Sequence, residues 1–484
     1  MAFNSLEFLL FFFTVAAIYF LCPQRYRWAW LLAASYYFYA AWALEYVVWL
    51  AVSTLTVYVL AIRIAGTSSQ ARRKVLLVLG LVLELGLLVG LKYLSFFSDS
   101  LRALFESFNL LYNVPAFQFL FPIGISFYTL QTLSYLVDVY RGRVEPERHL
   151  GILALFVSFF PQLVAGPIER AGHLLPQFRV KHDLSVSSVS SGLRLMLWGM
   201  FKKVVVADRL AIYVDAVYNN PADHRGFPII LATYFYAVQI YCDFSAYTDV
   251  ALGVAKVMGY DLVGNFRQPY SASSIADFWR RWHISLSSWF RDYLYIPLGG
   301  SRVSRWRWYI NLMLVFLLSG LWHGADWTLV LWGGMHGLYY LVEAWTQKAR
   351  DKVFRSLHLE KHPVRTAIGV FVTLNLVCFA WLFFRANSIS DAFLLVSNMV
   401  QVRTSTDLYA PWLELADDPS LQMALASGLI VLLALAHVLP GHDSQALSWI
   451  GKRGWIRWIA YLLLALAILN LGIAKQMPFV YLQF

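Results

Sequence analysis

Apolar runs recur from one end of the chain to the other, and basic, glycine or proline residues punctuate them. The runs Leu6–Cys22, Trp28–Ala43, Tyr46–Ile62, Val75–Leu94, Phe117–Val137, Leu150–Gly166, Pro228–Lys256, Thr366–Phe384, Leu421–Leu439 and Trp458–Ala474 are read as spans, since about 17–25 apolar residues cross a bilayer as a helix. A further apolar hairpin runs from about Tyr309 to Trp345 and turns at Trp322-His323-Gly324. The pattern predicts an all-α polytopic membrane protein, treated as one domain because neither a repeat nor a low-complexity linker interrupts it. The first run lacks a basic segment before it and an Ala-x-Ala-like site after it, so it is read as a retained span and not a signal peptide.

The hairpin turn holds the residue of greatest interest. Its first arm, Tyr309 to Trp322, would rise roughly 21 Å, short of a hydrocarbon core of about 30 Å. His323 is therefore expected inside the membrane, where an ionisable group is a functional candidate by default. The competing reading is a neutral imidazole that hydrogen-bonds a neighbouring helix.

Basic clusters set the expected orientation. Arg25/Arg27, Arg63/Arg72/Arg73/Lys74 and Arg141/Arg143/Arg148 follow the first, third and fifth spans, which puts the N-terminus outside and these loops in the cytoplasm. Between Arg148 and the next basic block lie three apolar stretches, yet both ends should be cytoplasmic, so one stretch does not cross. Ser190–Val214 carries Arg194, Lys202, Lys203, Asp208 and Arg209 and is expected to be re-entrant, interfacial or packed against other helices. Farther on, Lys348–Arg365 holds six basic and two acidic residues, whereas Ala386–Ser420 holds Arg403 against Asp391, Asp407, Glu414, Asp417 and Asp418. The first reads as cytoplasmic and the second as extracytoplasmic, with the C-terminus outside.

The block Asn265–Arg307 is too polar to span. Ser274-x-x-Asp277 resembles a capping box. A helix starting there would bring Phe278, Trp282, Leu286, Trp289, Tyr293 and Ile296 within about 80° of one another, with Arg280 and Arg291 opposite, an interfacial arrangement ended by Pro297 and Gly299-Gly300. His283 would sit at roughly 140°, between the two faces. Seven arginines against two aspartates make the block basic. Each arginine alone is explained by lipid headgroups, but together they suit a phosphate-bearing cytosolic cofactor.

Composition adds bounds. The chain is 484 residues long, 59% hydrophobic and 14% charged, with net charge +11. Such a chain is not soluble, and the positive-inside rule accounts for the charge without nucleic acid as a partner. Cys22, Cys242 and Cys378 lack disulfide or metal spacing. His283, His323 and His336, with Asp326 nearby, show no His-Glu-x-x-His pattern, and a continuous second arm would separate His323 from His336 by roughly 20 Å of rise, so no metal is expected. Gly-x-Ser-x-Gly is absent, and Phe121-Pro-Ile-Gly-Ile-Ser126 reads as a helix start. Asp243 and Asp249 lie in an apolar span beside hydroxyls; a structural role is favoured over a proton or ion relay.

These residues carry a family resemblance. Gln268 to Gly300, Gly320-Leu-Trp-His-Gly324, Pro122-Ile-Gly-Ile-Ser-Phe127 and Val164-Ala-Gly-Pro-Ile168 resemble the membrane-bound O-acyltransferase family, above all its alginate O-acetylation branch. The pairing of Phe278-Trp-Arg-Arg-Trp-His283 with Trp322-His323-Gly324 is the specific part. The resemblance covers residues 1–386, and residues 387–484 follow only by pattern, as an extracytoplasmic loop and two spans. It implies a many-helix bundle with a central funnel and interfacial or re-entrant helices, in the bacterial cytoplasmic membrane. It also implies that His323 is the active-site histidine and His283 its polar companion. The implied donor substrate is acetyl-CoA, with no bound cofactor, and the acetyl group would pass to an exopolysaccharide such as alginate, often through a separate extracytoplasmic acetyltransferase.

The expected mechanism follows. His323, neutral at working pH, acts as general base on the acceptor hydroxyl. His283 orients the thioester or stabilises the oxyanion, and Arg280, Arg281 and Arg305 hold the CoA phosphates. A covalent acyl-histidine relay stays open. So do D-alanyl transfer to teichoic acid, a polysaccharide transporter or flippase using Asp243 and Asp249, and a non-catalytic scaffold.

Overall fold

The computed structural model describes residues 1–110, 122–359, 362–401, 408–413, 418–438, 454–473 and 477–480. The start of the expected Phe117–Val137 span, the ends of Leu421–Leu439 and Trp458–Ala474, and parts of the loops 348–365 and 386–420 lie outside them. The described residues form helices and turns without a strand. Six of these helices are long and apolar enough to cross a membrane: Leu44–Gly66, Gln70–Ser107, Phe227–Val257, Pro363–Arg385, Pro419–Ala436 and Gly454–Leu471. The protein is an all-α, multi-pass membrane protein.

The chain divides into two compact units, residues 1–193 with 250–263, and residues 194–249 with 264–484. In the first, Leu6–Leu21 and Gln24–Ala40 are shorter helices, and Ile125–Tyr140 is buried along nearly its whole length. Two of the motifs meet here. Gly124 caps that helix at φ 82°, and a β-carbon on it would lie 2.7 Å from the carbonyl oxygen of Leu163, so only glycine fits both the left-handed backbone and the contact. The expected span Leu150–Gly166 is helical only over Leu150–Ser158, and its remainder turns back through Phe159–Gly166 as buried turns. Arg27 is buried with its guanidinium on the carbonyl oxygens of Cys22 and His182, at 3.0 and 2.5 Å, and over the Tyr19 ring.

The second unit contains the hairpin. Its first arm is Arg305–His323 and its second is Trp327–Ser356. Both are longer than the apolar pattern alone suggests, because the polar ends continue the helix. The first arm is about 28 Å long, so arm length does not fix the depth of His323; its 3% exposure is what places it in the protein interior. Glycines let the arms touch: a β-carbon at Gly320 would collide with the carbonyl oxygen of Leu329, and one at Gly333 with that of Phe316.

Ser190–Val214 proves to be part of a helical run from Val186 to Asn219 with a π segment at Phe201–Ala207. Of the three arrangements expected for it, packing against other helices fits, since Lys202, Lys203, Asp208 and Arg209 are all buried. Such π segments inside helices frequently fall at functional sites.

Candidate active site

The expected helix from Ser274 through Ile296 is broken. Ser274 does cap it, accepting from the Asp277 amide at 3.0 Å, but Ile275–Arg281 ends at Trp282, and His283 takes a left-handed backbone, φ 43° and ψ 55°, before Ile284–Phe290 begins. A left-handed non-glycine residue costs about 1–2 kcal/mol and needs support. Asn265 supplies it: its carbonyl oxygen accepts from the Ile284 amide at 2.9 Å and its side chain from the Ser285 amide at 3.3 Å. Alongside, the Arg267 amide donates to the carbonyl of Arg281 at 3.0 Å. The break rotates His283 out of the intermediate position that a straight helix would give it and into the core, where it is fully buried.

His283 and His323 are thereby brought together, with ring centroids 6.1 Å apart. Aromatic rings surround them. Phe244 meets His283 edge-on at 4.7 Å, Trp332 and Phe384 meet His323 at 5.1 and 5.5 Å, and Trp322 borders both. His336 lies closer to this cluster than helical rise between sequence positions suggests. His323 ends one antiparallel arm and His336 sits on the other, so each packs against Trp332 at 5.1 Å. His336 is stacked on Phe278 and closed in by Trp279. Among the described residues no group of three His, Cys, Asp or Glu side chains is arranged to hold a metal ion.

The arginines lie elsewhere on the same block. Arg280 and Arg305 are exposed. Arg281 is partly engaged, pairing with Asp277 at 3.0 Å and donating to the Ser271 hydroxyl at 3.1 Å. None of the three is brought to the histidine pair by any observed contact.

A cavity of about 660 Å³ lies next to His323 along the chain, although neither imidazole lines it. Gly324, next to His323, and Phe384, which packs on its ring, both line it. Its polar wall includes Lys203, Asp208, Asp215, Gln239, Asp243, Asp326, Arg385 and Asn387. Lys203 pairs with Asp208 at 2.8 Å and Asp243 at 2.7 Å, Arg385 with Asp215 at 2.6 Å, and Asp326 caps the second arm through the Thr328 amide at 2.7 Å. The neighbouring Lys202 pairs with Asp249 at 2.9 Å and donates to Ser245 at 2.6 Å.

The structural role expected for Asp243 and Asp249 is what these contacts describe, although lysines rather than hydroxyls alone satisfy them. Sequence pattern missed Lys203, Arg385, Met477, Pro478 and Val480 as cavity residues. The signal available was the alternation of Lys202-Lys203 with Asp208 in an apolar stretch: charges of both signs there need partners.

The sequence model of the membrane-bound O-acyltransferase family matches residues 149–390, which include both histidines. A probable alginate O-acetylase AlgI of Pseudomonas putida is 36% identical, with all of both chains covered. A peptidoglycan O-acetyltransferase of Helicobacter pylori is 32% identical over 94% of this chain and 91% of its own. A teichoic acid D-alanyltransferase of Bacillus subtilis is 27% identical over 54% of this chain and 68% of its own. The chain is a multi-pass O-acyltransferase and belongs to the membrane-bound O-acyltransferase family.

Proposed function

We propose that the protein takes an acetyl group from acetyl-CoA on the cytoplasmic side and delivers it, through the site at His323 and His283, for O-acetylation of an extracytoplasmic polysaccharide across the bacterial cytoplasmic membrane. The observation that carries this reading is the buried pair of imidazoles, 6.1 Å apart, with a polar cavity lined by Gly324, which follows His323, and by Phe384, which packs on its ring. The cavity receives the acceptor hydroxyl and His323 takes its proton. The hydroxyl oxygen bonds to the thioester carbonyl carbon, the carbon–sulfur bond breaks, and the proton goes to the departing CoA thiolate. His283 donates toward the developing oxyanion, a contribution of about 3–4 kcal/mol for a well-placed donor. Arg280 and Arg305, exposed on the basic block, and Arg281 beside them engage the CoA phosphates.

Acetyl rather than D-alanyl transfer is supported by coverage, because the O-acetylating relatives align over 81% or more of this chain and the D-alanyltransferase over 54%. A proton path through Asp243 and Asp249, which transport would call on, is disfavoured by the lysine that holds each carboxylate. The test is transfer itself. Proteoliposomes supplied with acetyl-labelled CoA on one face and a polysaccharide acceptor, with or without an extracytoplasmic acetyltransferase, on the other should release free thiol and label the acceptor. Labelling without thiol release, or thiol release confined to D-alanyl donors, would overturn the proposal.

A further inference from the structure

Part of the cavity wall comes from far along the chain. Met477, Pro478 and Val480 line the cavity together with Gly324 and Phe384, and the segment that carries them is held by its main chain. Arg209 donates to the Leu471 carbonyl at 2.7 Å, and the Ile473 amide donates to the Val204 carbonyl at 3.1 Å. Val204 lies in the π segment Phe201–Ala207, where the widened turn departs from the hydrogen-bond register of an α-helix and leaves a carbonyl for an outside donor. Farther on, Lys203 donates to the Pro478 carbonyl at 3.2 Å and the Val480 amide donates to Asp243 at 2.8 Å. Asp243 thus serves two partners, one oxygen accepting from Lys203 at 2.7 Å and the other from Val480. Phe479 is buried between these contacts, its ring 4.6 Å from the Lys203 ammonium and edge-on to Tyr247 at 5.2 Å. Fixing register is the best-attested use of a buried ion pair. Lys203 and Asp243 each hold one main-chain group of the segment, and so set its register against the cavity.

We propose that residues 471–473 and 477–480 belong to a positioning segment of the acyl-transfer site. Docked on the π segment and on the Lys203–Asp243 pair, it holds its side of the cavity wall where the acceptor hydroxyl is seated for His323, a role that rests on the cavity being the acceptor site, as set out above. The segment makes and breaks no bond of the reaction. Because its main chain carries the docking, losing one amide matters more than trimming the side chain on the same residue.

Proline removes an amide donor, so Val480→Pro deletes the contact to Asp243 and Ile473→Pro the contact to Val204. Ile473 does not line the cavity, so its variant acts only through docking. Val480→Ala keeps the amide, and Asn387→Trp narrows the cavity from a part of the wall that the segment does not form. Thiol release from acetyl-CoA is measured for the full-length variants in proteoliposomes, with de-O-acetylated envelope polysaccharide of the producing cells as acceptor. Both proline variants are expected to raise the KM for the acceptor by about fivefold or more and to leave the KM for acetyl-CoA within about twofold, a split that mere loss of folded protein does not produce. Val480→Ala should show less than half of the rise seen with Val480→Pro. An unchanged acceptor KM in both proline variants, with a raised one in Asn387→Trp, overturns the positioning role and leaves the acceptor reading standing. Equal effects of Val480→Ala and Val480→Pro, or a parallel rise in both KM values, also overturn it. An acceptor KM unchanged in all of the variants, Asn387→Trp included, overturns the acceptor reading itself. Melting curves report folding, and the two proline variants break different contacts, so one remains readable if the other does not fold.

Discussion

His283 and His323, from separate segments, lie 6.1 Å apart between ring centroids in one aromatic enclosure. Their juxtaposition depends on the left-handed turn at His283, so position and chemistry can be separated by substitution. Asparagine tolerates that backbone and can still donate a hydrogen bond; alanine cannot donate. His283→Ala is expected to lower kcat by about a hundredfold with little change in the KM for acetyl-CoA, and His283→Asn to keep a measurable part of the loss from occurring. Steady-state thiol release by the two variants decides it. Equal, wild-type rates would remove His283 from the reaction.

The shared ammonium makes a second expectation. Lys203→Met leaves Asp208 and Asp243 buried without their cation, a loss of roughly 3–5 kcal/mol. Lys203→Met combined with Asp243→Asn should recover part of it, because one of the stranded charges is gone. Thermal unfolding in detergent measures both. A double variant less stable than the single one would contradict the pairing.

Much of this could be read in advance, and the failures have physical causes. His323, the hairpin and the cap at Ser274 were legible because an apolar run interrupted by a polar residue, or preceded by Ser-x-x-Asp, is a local pattern. The break at Trp282–His283 was not. It is enforced by Asn265, a residue outside the helix, and the 3.6-residue period continues across the break as if it were absent. The cavity escaped for a similar reason: Lys203, Asp243, Arg385 and Pro478 come from four separate segments. Arm length misled in the other direction, since Arg305 and Arg307 look like a loop yet form the first turn of the helix.

Close contact between the hairpin arms gives a third expectation. Gly320→Ala puts a methyl group against the Leu329 carbonyl, and forced overpacking costs about 1–3 kcal/mol. Because Gly320 precedes His323 by one helical turn, turnover should fall along with the melting temperature. Gly334→Ala, where the nearest atom is the Leu317 side chain at 3.3 Å, is the milder control. Indistinguishable melting curves would contradict the packing.

Outside the spans, His173 Nδ1 donates to the Glu169 carboxylate at 2.8 Å, and its Nε2 lies 3.6 Å from Asp261. The Glu169 carboxylate, outweighing the effect of burial, raises the imidazole above its ordinary value. A raised folded-state value means the contribution is full below the unfolded pKa, about 6.5, and is lost as pH climbs through the folded one. Stability should therefore decline slightly above about pH 6.5, the effect being small because the side chain is 37% exposed. His173→Gln should flatten that decline in melting curves taken across this range. An unchanged slope would contradict the assignment.

The arginine assignment is tested by affinity. Arg280→Gln and Arg305→Gln should each raise the KM for acetyl-CoA a few-fold, in keeping with exposed charge contacts of about 0.2–1 kcal/mol. Arg281→Gln should do less, since Asp277 already engages that guanidinium. No change in any of the three would move the phosphates elsewhere.

Whether His323 is the general base is decided by thiol release from acetyl-CoA by purified protein in proteoliposomes, with acceptor present and wild type set beside His323→Ala. The expected result is a fall of a hundredfold or more in kcat, in the usual range for a general base, with folding preserved by circular dichroism and melting temperature. A folded His323→Ala protein that releases thiol at the wild-type rate would contradict the account.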